Sequence, residues 1–164
     1  MPHIHVVATG GTIDKVYALT GELEIGAPAA DTLLSPILTD NTYDVTPALA
    51  LDSLDMTDAD RAALCAVIDG LPGRLVVVTH GTDTMPETAA FLDEHLAAAD
   101  QTVVLTGAMR PAAMAPSDAA YNLGAAMTAV QLLPAGVHIA MSGRVFSAGK
   151  VAKDHARGIF VELS

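Results

Sequence analysis

The chain has 164 residues, about the length of one domain, and can bury a sizeable core. Hydrophobic residues make up 51% of it, but no apolar run approaches the ~20 residues of a membrane-spanning helix. The formal net charge of −11 disfavours nucleic acid and anionic membranes as partners, so we expect a small-molecule partner. The apolar excess favours a buried sheet and a homo-oligomer.

The amino-terminal residues run directly into an apolar, strand-like segment without a basic leader or a cleavage site, so we expect a cytoplasmic protein. His3 and His5 alternate on one face of this segment and could resemble metal ligands. No cysteine or carboxylate stands at a suitable spacing beside them, so we expect no metal site. Cys65, the single cysteine, lies in a helical pattern that favours a buried, unreactive thiol.

Short β-branched runs alternate with longer stretches of helical spacing, which is typical of a parallel sheet covered by helices. The predicted fold class is α/β: one domain over residues 1–164, with a mostly parallel sheet and helices on both faces. The clearest strands are nearly continuous apolar runs at residues 3–8, 74–79, 102–106 and 137–141. A weaker strand is predicted at residues 43–46. The tail from residue 143 predicts one loop and a closing strand around 158–163.

Three helices are predicted over residues 57–69, 85–98 and 117–132. Capping chemistry marks their starts: Thr57 precedes Asp60, Thr84 precedes Glu87, and Ser117 opens the third. In the second helix, His95 shares a stripe with Phe91 and Leu92, which predicts a histidine at the edge of the core.

Polar loops that contain glycine follow three of the predicted strands. Because ligands bind beyond the carboxyl ends of parallel strands, we expect these loops to gather at one edge of the sheet. They are Thr9-Gly10-Gly11-Thr12-Ile13-Asp14, Thr79-His80-Gly81-Thr82-Asp83-Thr84-Met85 and Thr106-Gly107-Ala108-Met109-Arg110-Pro111. The first loop lacks both the G-x-G-x-x-G pattern and a P-loop lysine, which disfavours nucleotide binding.

The parts of an activated nucleophile stand in these loops and downstream of them. They are the Thr12 hydroxyl, the hydroxyl and carboxylate of Thr82 and Asp83, and a lysine. Between Lys150 and Lys153, the later residue is the candidate for an interior position, although either one read alone is more typical of a solvated surface lysine.

Each loop also has a simpler structural explanation. Glycine and threonine are common at strand-to-helix turns, and Thr84 alone can serve as a helix cap. His80 stands beside Thr82 and could be mistaken for a catalytic base. We predict that it fixes the turn by hydrogen bonding instead.

Five stretches resemble the bacterial-type L-asparaginase and glutaminase family in order and spacing. They are residues 8–13, 52–57, 79–85 with Glu87-Thr88-Ala89, 105–111 and 117–123. A sixth, Gly143-Arg144-Val145-Phe146 leading to Lys153, extends the resemblance over essentially the whole chain. The resemblance is to the N-terminal, catalytic domain of that family and implies its fold.

The resemblance implies hydrolysis of the side-chain amide of asparagine or a related small amide, without a metal or organic cofactor. Thr12 would attack the carbonyl, and Thr82, Asp83 and Lys153 would form a second catalytic group. Tyr17 would be the counterpart of the family's mobile-loop tyrosine. The substrate would contact Gly11, Ser53, Gly81, Thr82, Asp83 and Ala108.

Two departures from the family pattern weaken the expected grip on free asparagine. Family members are about twice this length and have a second domain that lends residues to the site of a neighbouring subunit, and we expect no such domain here. Leu54 stands where well-known members carry a polar side chain that helps bind the substrate carboxylate. Two alternatives therefore stay open: a small-molecule-binding or regulatory module with little turnover, and a subunit completed by another polypeptide.

Overall fold

A computed structural model describes residues 1–164 and contains ten strands and four α-helices. The strands are β1 (His3–Gly10), β2 (Lys15–Tyr17), β3 (Leu23–Ile25), β4 (Thr42–Leu51), β5 (Leu75–Thr79), β6 (Thr102–Thr106), β7 (Gly136–Met141), β8 (Arg144–Ser147), β9 (Val151–Asp154) and β10 (Ile159–Glu162). The helices are α1 (Ala29–Leu34), α2 (Asp58–Asp69), α3 (Met85–His95) and α4 (Ala119–Leu132).

The central sheet has the strand order β4-β1-β5-β6-β7-β8. Its first five strands are parallel and β8 is antiparallel to β7, so the prediction of a mostly parallel α/β sheet is confirmed. The chain starts at β1, adds β4 on one side and then adds β5 on the other. The loops after β1 and β5 therefore diverge at this switch point, which is where α/β sheets bind ligands.

Helices cover both faces of the sheet because the strand residues alternate between the two faces. Val7 and Val78 pack with α2 and α3 on one face, and Val6 and Val77 pack with α1 and α4 on the other. Each such valine is fully buried, which contributes about 1.5–3 kcal/mol relative to an exposed position. This core holds the strand ends, and hence the loops that follow them, in place.

The predicted helices are present, but two of the three proposed caps differ. Thr57 and Asp60 form the predicted capping box of α2. Thr84 makes no cap bond, since its hydroxyl donates to the carbonyl of Ser53. The third helix begins at Ala119 rather than Ser117, whose hydroxyl donates to a loop carbonyl and accepts from the Ala119 N–H.

The end of α3 also differs from the prediction. The helix stops at His95 rather than at residue 98. The backbone N–H groups of Ala97 and Ala98 donate to the Asp69 carboxylate instead of to helix carbonyls. His95 is exposed and stacks on the Phe91 ring, with centroids 4.1 Å apart. Its predicted place at the edge of the core is therefore wrong, because the helix turns its last residue into solvent.

The strand predictions were incomplete in two places. The weak strand predicted at 43–46 extends from Thr42 to Leu51 and forms the edge of the sheet. Pro47 is tolerated there because an edge strand has no neighbour on its outer side that needs the missing N–H. In the tail, the closing strand predicted around 158–163 is confirmed as β10. Two further strands were missed: β8, which joins the central sheet, and β9, which pairs with β10. These two have only four residues each, too few for a periodic pattern to register.

The single cysteine and the segments outside the central sheet complete the description of the fold. Cys65 is 6% exposed, as predicted, and burial raises the pKa of its thiol. Residues 15–25 form a small hairpin of β2 and β3, and α1 follows it, neither of which was predicted. None of the helices combines the length and the apolar composition that crossing a membrane requires.

Candidate active site

Three loops touch one another at the carboxyl edge of the sheet, at the switch point between β1 and β5. Gly11 has φ of 79°, and a Cβ on it would overlap the backbone of Gly81. A Cβ on Gly81 would in turn lie 2.7 Å from the Cβ and Oγ atoms of Ser53. The absence of side chains at both glycines thus lets the loops that carry Thr12, Ser53 and Thr82 pack directly against each other.

Lys153 reaches this edge from β9. Its Nζ donates hydrogen bonds to Thr82 Oγ1 at 2.8 Å and to Asp83 Oδ1 at 2.6 Å. The lysine side chain is only 8% exposed and that of Asp83 is 33% exposed, so the ion pair is shielded from water on the lysine side. Lys150, by contrast, is exposed. The interior position predicted for the later lysine is therefore observed.

The β9–β10 pair positions this lysine. Val151 and Phe160 are 4% and 2% exposed and pack into the same core as α3. Lys153 lies two residues after Val151, on the same face of the strand, and pairs with Phe160 across the ladder. The apolar anchors hold the strand, so the ammonium arrives at a defined point beside Thr82.

A buried arginine supports the Ser53 loop. Arg61 of α2 donates to Thr88 Oγ1 at 2.9 Å and to Thr84 Oγ1 at 3.3 Å. Thr84 then donates its hydroxyl to the Ser53 carbonyl at 2.8 Å and its N–H to Ser53 Oγ at 3.3 Å. Because Ser53 Oγ accepts here, its own O–H remains available to donate. Leu54, the next residue, is 70% exposed.

The loop that follows β6 and contains Ala108 is held by the start of α4. The Asp118 carboxylate accepts hydrogen bonds from the two backbone N–H groups that follow Ala108, at 2.9 and 3.0 Å. Asn122 donates to the Gly107 carbonyl at 3.0 Å and to Asp118 at 2.9 Å. Ala108 itself is fully buried and packs against Ile13 of the first loop. The backbone at Ala108 is therefore locked relative to Thr12.

His80 stabilises the turn between β5 and α3, as predicted. The ring is fully buried, and its Nδ1–H donates to the Gly81 carbonyl at 2.7 Å. The other nitrogen lies 3.2 Å from Met56 Sδ. Burial lowers the pKa of His80 to about 4, although the hydrogen bond to the carbonyl opposes this effect. The imidazole is neutral at pH 7, and none of its hydrogen bonds reaches Thr82 or Asp83.

Tyr17 is not brought into contact with the other candidate residues. It lies on β2 with 70% of its surface exposed, and no hydrogen bond joins it to Thr12 or Lys153. An ion pair of 2.9 Å between Lys15 and Asp52 fastens the hairpin to the Ser53 loop. That hydrogen bond and one from the Leu54 N–H hold the pKa of Asp52 below its usual value. The hairpin is thus tied at its base while Tyr17 remains outside.

Asp14 is a buried carboxylate two residues after Thr12. It is 3% exposed and accepts a hydrogen bond from the N–H of Ala29 at 2.8 Å. Burial raises its pKa from 3.8 to about 6, because one backbone donor only partly offsets the loss of water. The folded chain therefore binds this proton more tightly than the unfolded chain does.

We expect this proton to make stability depend on pH. Between about pH 4 and pH 6 the folded state holds more protons at Asp14, so the free energy of unfolding falls as pH rises through this window. Asp14→Asn removes the effect. The free energy of unfolding of wild type, relative to that of this variant, should decrease by up to about 3 kcal/mol between pH 4 and pH 7.

Urea unfolding at four pH values measures this decrease, with Asp31→Asn, at an exposed position, as control. A difference that does not change with pH would contradict the assignment.

Comparison with known proteins identifies the family of this chain. A family model described as the asparaginase N-terminal domain matches residues 3–160. The chain belongs to the asparaginase family. The L-asparaginase of Bacillus licheniformis is 33% identical over an alignment of 167 positions that covers 95% of this chain and 51% of that protein. The chain spans about half the length of the curated relatives it matches.

Two solved asparaginase structures share the fold. The thermostable L-asparaginase from Thermococcus kodakarensis superposes with a TM-score of 0.87 at 27% identity, covering 98% of this chain and 51% of that one. The probable cytoplasmic L-asparaginase from Campylobacter jejuni gives 0.82 at 32% identity, covering 99% and 53%. The family resemblance read from the sequence is therefore confirmed.

Sequence reasoning missed several residues that build the site. Asp118 and Asn122 stand in one of the matching stretches, but no role was assigned to them. Arg61 carried a usable signal: it precedes Leu64 and Cys65 by three and four residues, so it lies on the buried stripe of α2. A charged residue at such a position needs partners, which are the Asp58 carboxylate one helical turn earlier and the hydroxyls of Thr84 and Thr88.

Proposed function

We propose that this chain is the catalytic part of an amidohydrolase that converts the side-chain amide of asparagine, or of a related small amide, into the acid and ammonia. The observation that carries the proposal is the contact of buried Lys153 with both Thr82 and Asp83, beside the glycine-bearing loop of Thr12. Family membership and the names of the relatives, which are L-asparaginases, support it.

Thr12 is the proposed nucleophile. Its Oγ1 forms a bond to the amide carbon, the C–N bond breaks, and the nitrogen leaves as ammonia with the proton that the hydroxyl loses. Water then attacks the resulting ester, releases the acid and restores the threonine. The Thr12 side chain takes part in no hydrogen bond within the fold and is partly exposed, so its oxygen is free to meet a substrate.

Thr82, Asp83 and Lys153 form the proposed proton relay. The ammonium lies between the Thr82 hydroxyl and the Asp83 carboxylate, at distances that suit proton transfer in either direction. Its charge also favours a Thr82 oxygen that has given up its proton. Such general acid and base catalysis contributes roughly two to four powers of ten in rate.

The substrate contacts are proposed around this relay. The free O–H of Ser53 suits an α-carboxylate, and the Asp83 carboxylate suits an α-amino group. Backbone groups at Gly11, Gly81 and Ala108 would face the amide and stabilise the oxyanion. Exposed Leu54 offers no polar contact to the carboxylate, which predicts a weak grip on free asparagine. No observation favours a binding or regulatory module, since binding alone does not require the buried lysine.

We also propose that the chain forms a homo-oligomer and resides in the cytoplasm. A groove beside α4 is lined by the exposed apolar residues Tyr121, Leu132 and Val145, which supports an interface there. One solved neighbour is named cytoplasmic, although another relative is named periplasmic. Light scattering of the purified chain measures the oligomeric state, and a monomer at all concentrations would contradict the first proposal.

Ammonia release by the purified chain tests the function directly. We expect asparagine to yield ammonia and aspartate in equal amounts. Glutamine and succinamate, which lacks the α-amino group of asparagine, are assayed separately as alternative substrates. Similar rates on asparagine and succinamate would show that the amino group is little used. A folded protein that releases no ammonia from any of the three would contradict the proposed activity of this chain alone.

A further inference from the structure

We propose that His3, His5 and Asp44 form a binding site for a divalent transition metal of the zinc class. The three residues lie at the amino ends of β1 and β4, the end of the sheet opposite to the candidate active site. The proposal does not depend on the amidohydrolase activity. The sequence analysis predicted no metal site, because no carboxylate lies close to the two histidines along the chain.

The parallel register of the two strands supplies the missing carboxylate. His3 pairs with Thr42 and His5 pairs with Asp44, so residues 39 positions apart become neighbours. His3 Nε2 lies 3.1 Å from Asp44 Oδ2, and His5 Nδ1 lies 3.0 Å from each Asp44 oxygen. One ligand atom from each residue lies within 4.8 Å of the others.

The separations between each histidine nitrogen and Asp44 are close to those that a metal requires. With Zn–N and Zn–O bonds of ~2.0–2.1 Å and tetrahedral angles, adjacent ligand atoms stand roughly 3.3 Å apart. Each histidine would need to move from Asp44 by only a few tenths of an ångström, and the two ring nitrogens already lie within 4.8 Å of each other. Two imidazoles with one carboxylate favour zinc, cobalt or nickel over magnesium or calcium, which prefer oxygen ligands.

The two rings are already oriented toward Asp44. His3 Nδ1 lies 2.8 Å from Thr42 Oγ1, which is the outer hydrogen bond typical of a metal-bound histidine. His5 is 4% exposed, its Nε2 abuts Gly73, and its ring meets that of His3 edge to face at 4.6 Å. Only Nδ1 of His5 can therefore face the site.

Access and affinity also follow from the geometry. The side chains of His3 and Asp44 are 43% and 49% exposed, which leaves a fourth coordination position open to water. Ligation through Nδ1 puts the ring proton of His5 on Nε2, which has no hydrogen-bond partner. We therefore expect micromolar rather than nanomolar affinity. Bound metal would tie the edge strand β4 to β1.

Cobalt titration of untagged, chelator-treated protein tests the site. We expect the visible absorption of four-coordinate Co²⁺ to saturate at one equivalent and to disappear when Zn²⁺ is added. Asp44→Asn and His3→Gln should each weaken binding more than about tenfold, as removal of a direct ligand should exceed the usual loss from an outer one. Exposed His95→Gln is the matched control and should bind as wild type does.

Thermal unfolding gives a second readout that is independent of spectroscopy. Zn²⁺ should raise the unfolding midpoint of wild type and of His95→Gln, but not of Asp44→Asn, and Mg²⁺ should have no effect. His3 and Asp44 are both partly exposed, so their variants should fold, which circular dichroism in the absence of metal checks. Absence of one-equivalent binding by wild type, or equal binding by the three variants, would overturn the proposal.

Discussion

Thr12→Ala should reduce ammonia release from asparagine by about a thousandfold or more while the fold stays intact. Loss of the nucleophile removes the covalent route entirely, and only binding and oxyanion stabilisation remain. Stability should change little, because the Thr12 hydroxyl makes no hydrogen bond within the chain and the residue is not fully buried. Steady-state ammonia release and the thermal unfolding midpoint measure the two effects.

Two variants control this experiment. Thr32→Ala makes the same chemical change at an exposed position on α1 and should keep full activity. Thr12→Ser retains a hydroxyl and should keep part of it. Mass spectrometry after acid quenching should detect an acylated chain in wild type and none in Thr12→Ala. If Thr12→Ala retains more than a tenth of the activity, the nucleophile is another group, even if the chain hydrolyses amides.

Lys153→Met should lower the rate of ammonia release by roughly 10²–10⁴, the usual contribution of general acid and base catalysis. Methionine keeps the apolar stem but removes the ammonium that contacts Thr82 and Asp83. The partly buried Asp83 carboxylate then loses the hydrogen bond that the Lys153 ammonium donates to it. We expect a cost of about 1–3 kcal/mol in the free energy of unfolding, which urea titration measures.

Lys150→Met is the matched control, because Lys150 stands three residues earlier on the same segment and is exposed. It should change neither the rate nor the stability. Lys153→Arg keeps the positive charge but cannot release a proton at neutral pH, so it should restore stability better than activity. Wild-type turnover by a folded Lys153→Met variant would remove the lysine from the mechanism.

The positions of the candidate loops could be predicted from the sequence because they depend on local patterns. An apolar run followed by glycine and threonine marks the end of a buried strand, and parallel strands place such ends at one edge. Both Thr12 and the Thr82–Asp83 pair were found in this way. The β8 and β9 strands and the β2–β3 hairpin were not, because three or four residues are too few to show a period.

Local patterns in the sequence were enough to predict the α/β class, the buried strands, the edge that carries the candidate site and the family. They did not predict which distant groups meet in the folded chain: Lys153 with Asp83 across 70 positions, Arg61 with Thr84, and His5 with Asp44 across 39. Nor did they predict that Tyr17 is exposed or that His95 lies in solvent. Strand and helix periods can be read locally because they arise from neighbours a few residues apart. Ion pairs and hydrogen bonds between elements depend instead on strand order, register and the packing of the core.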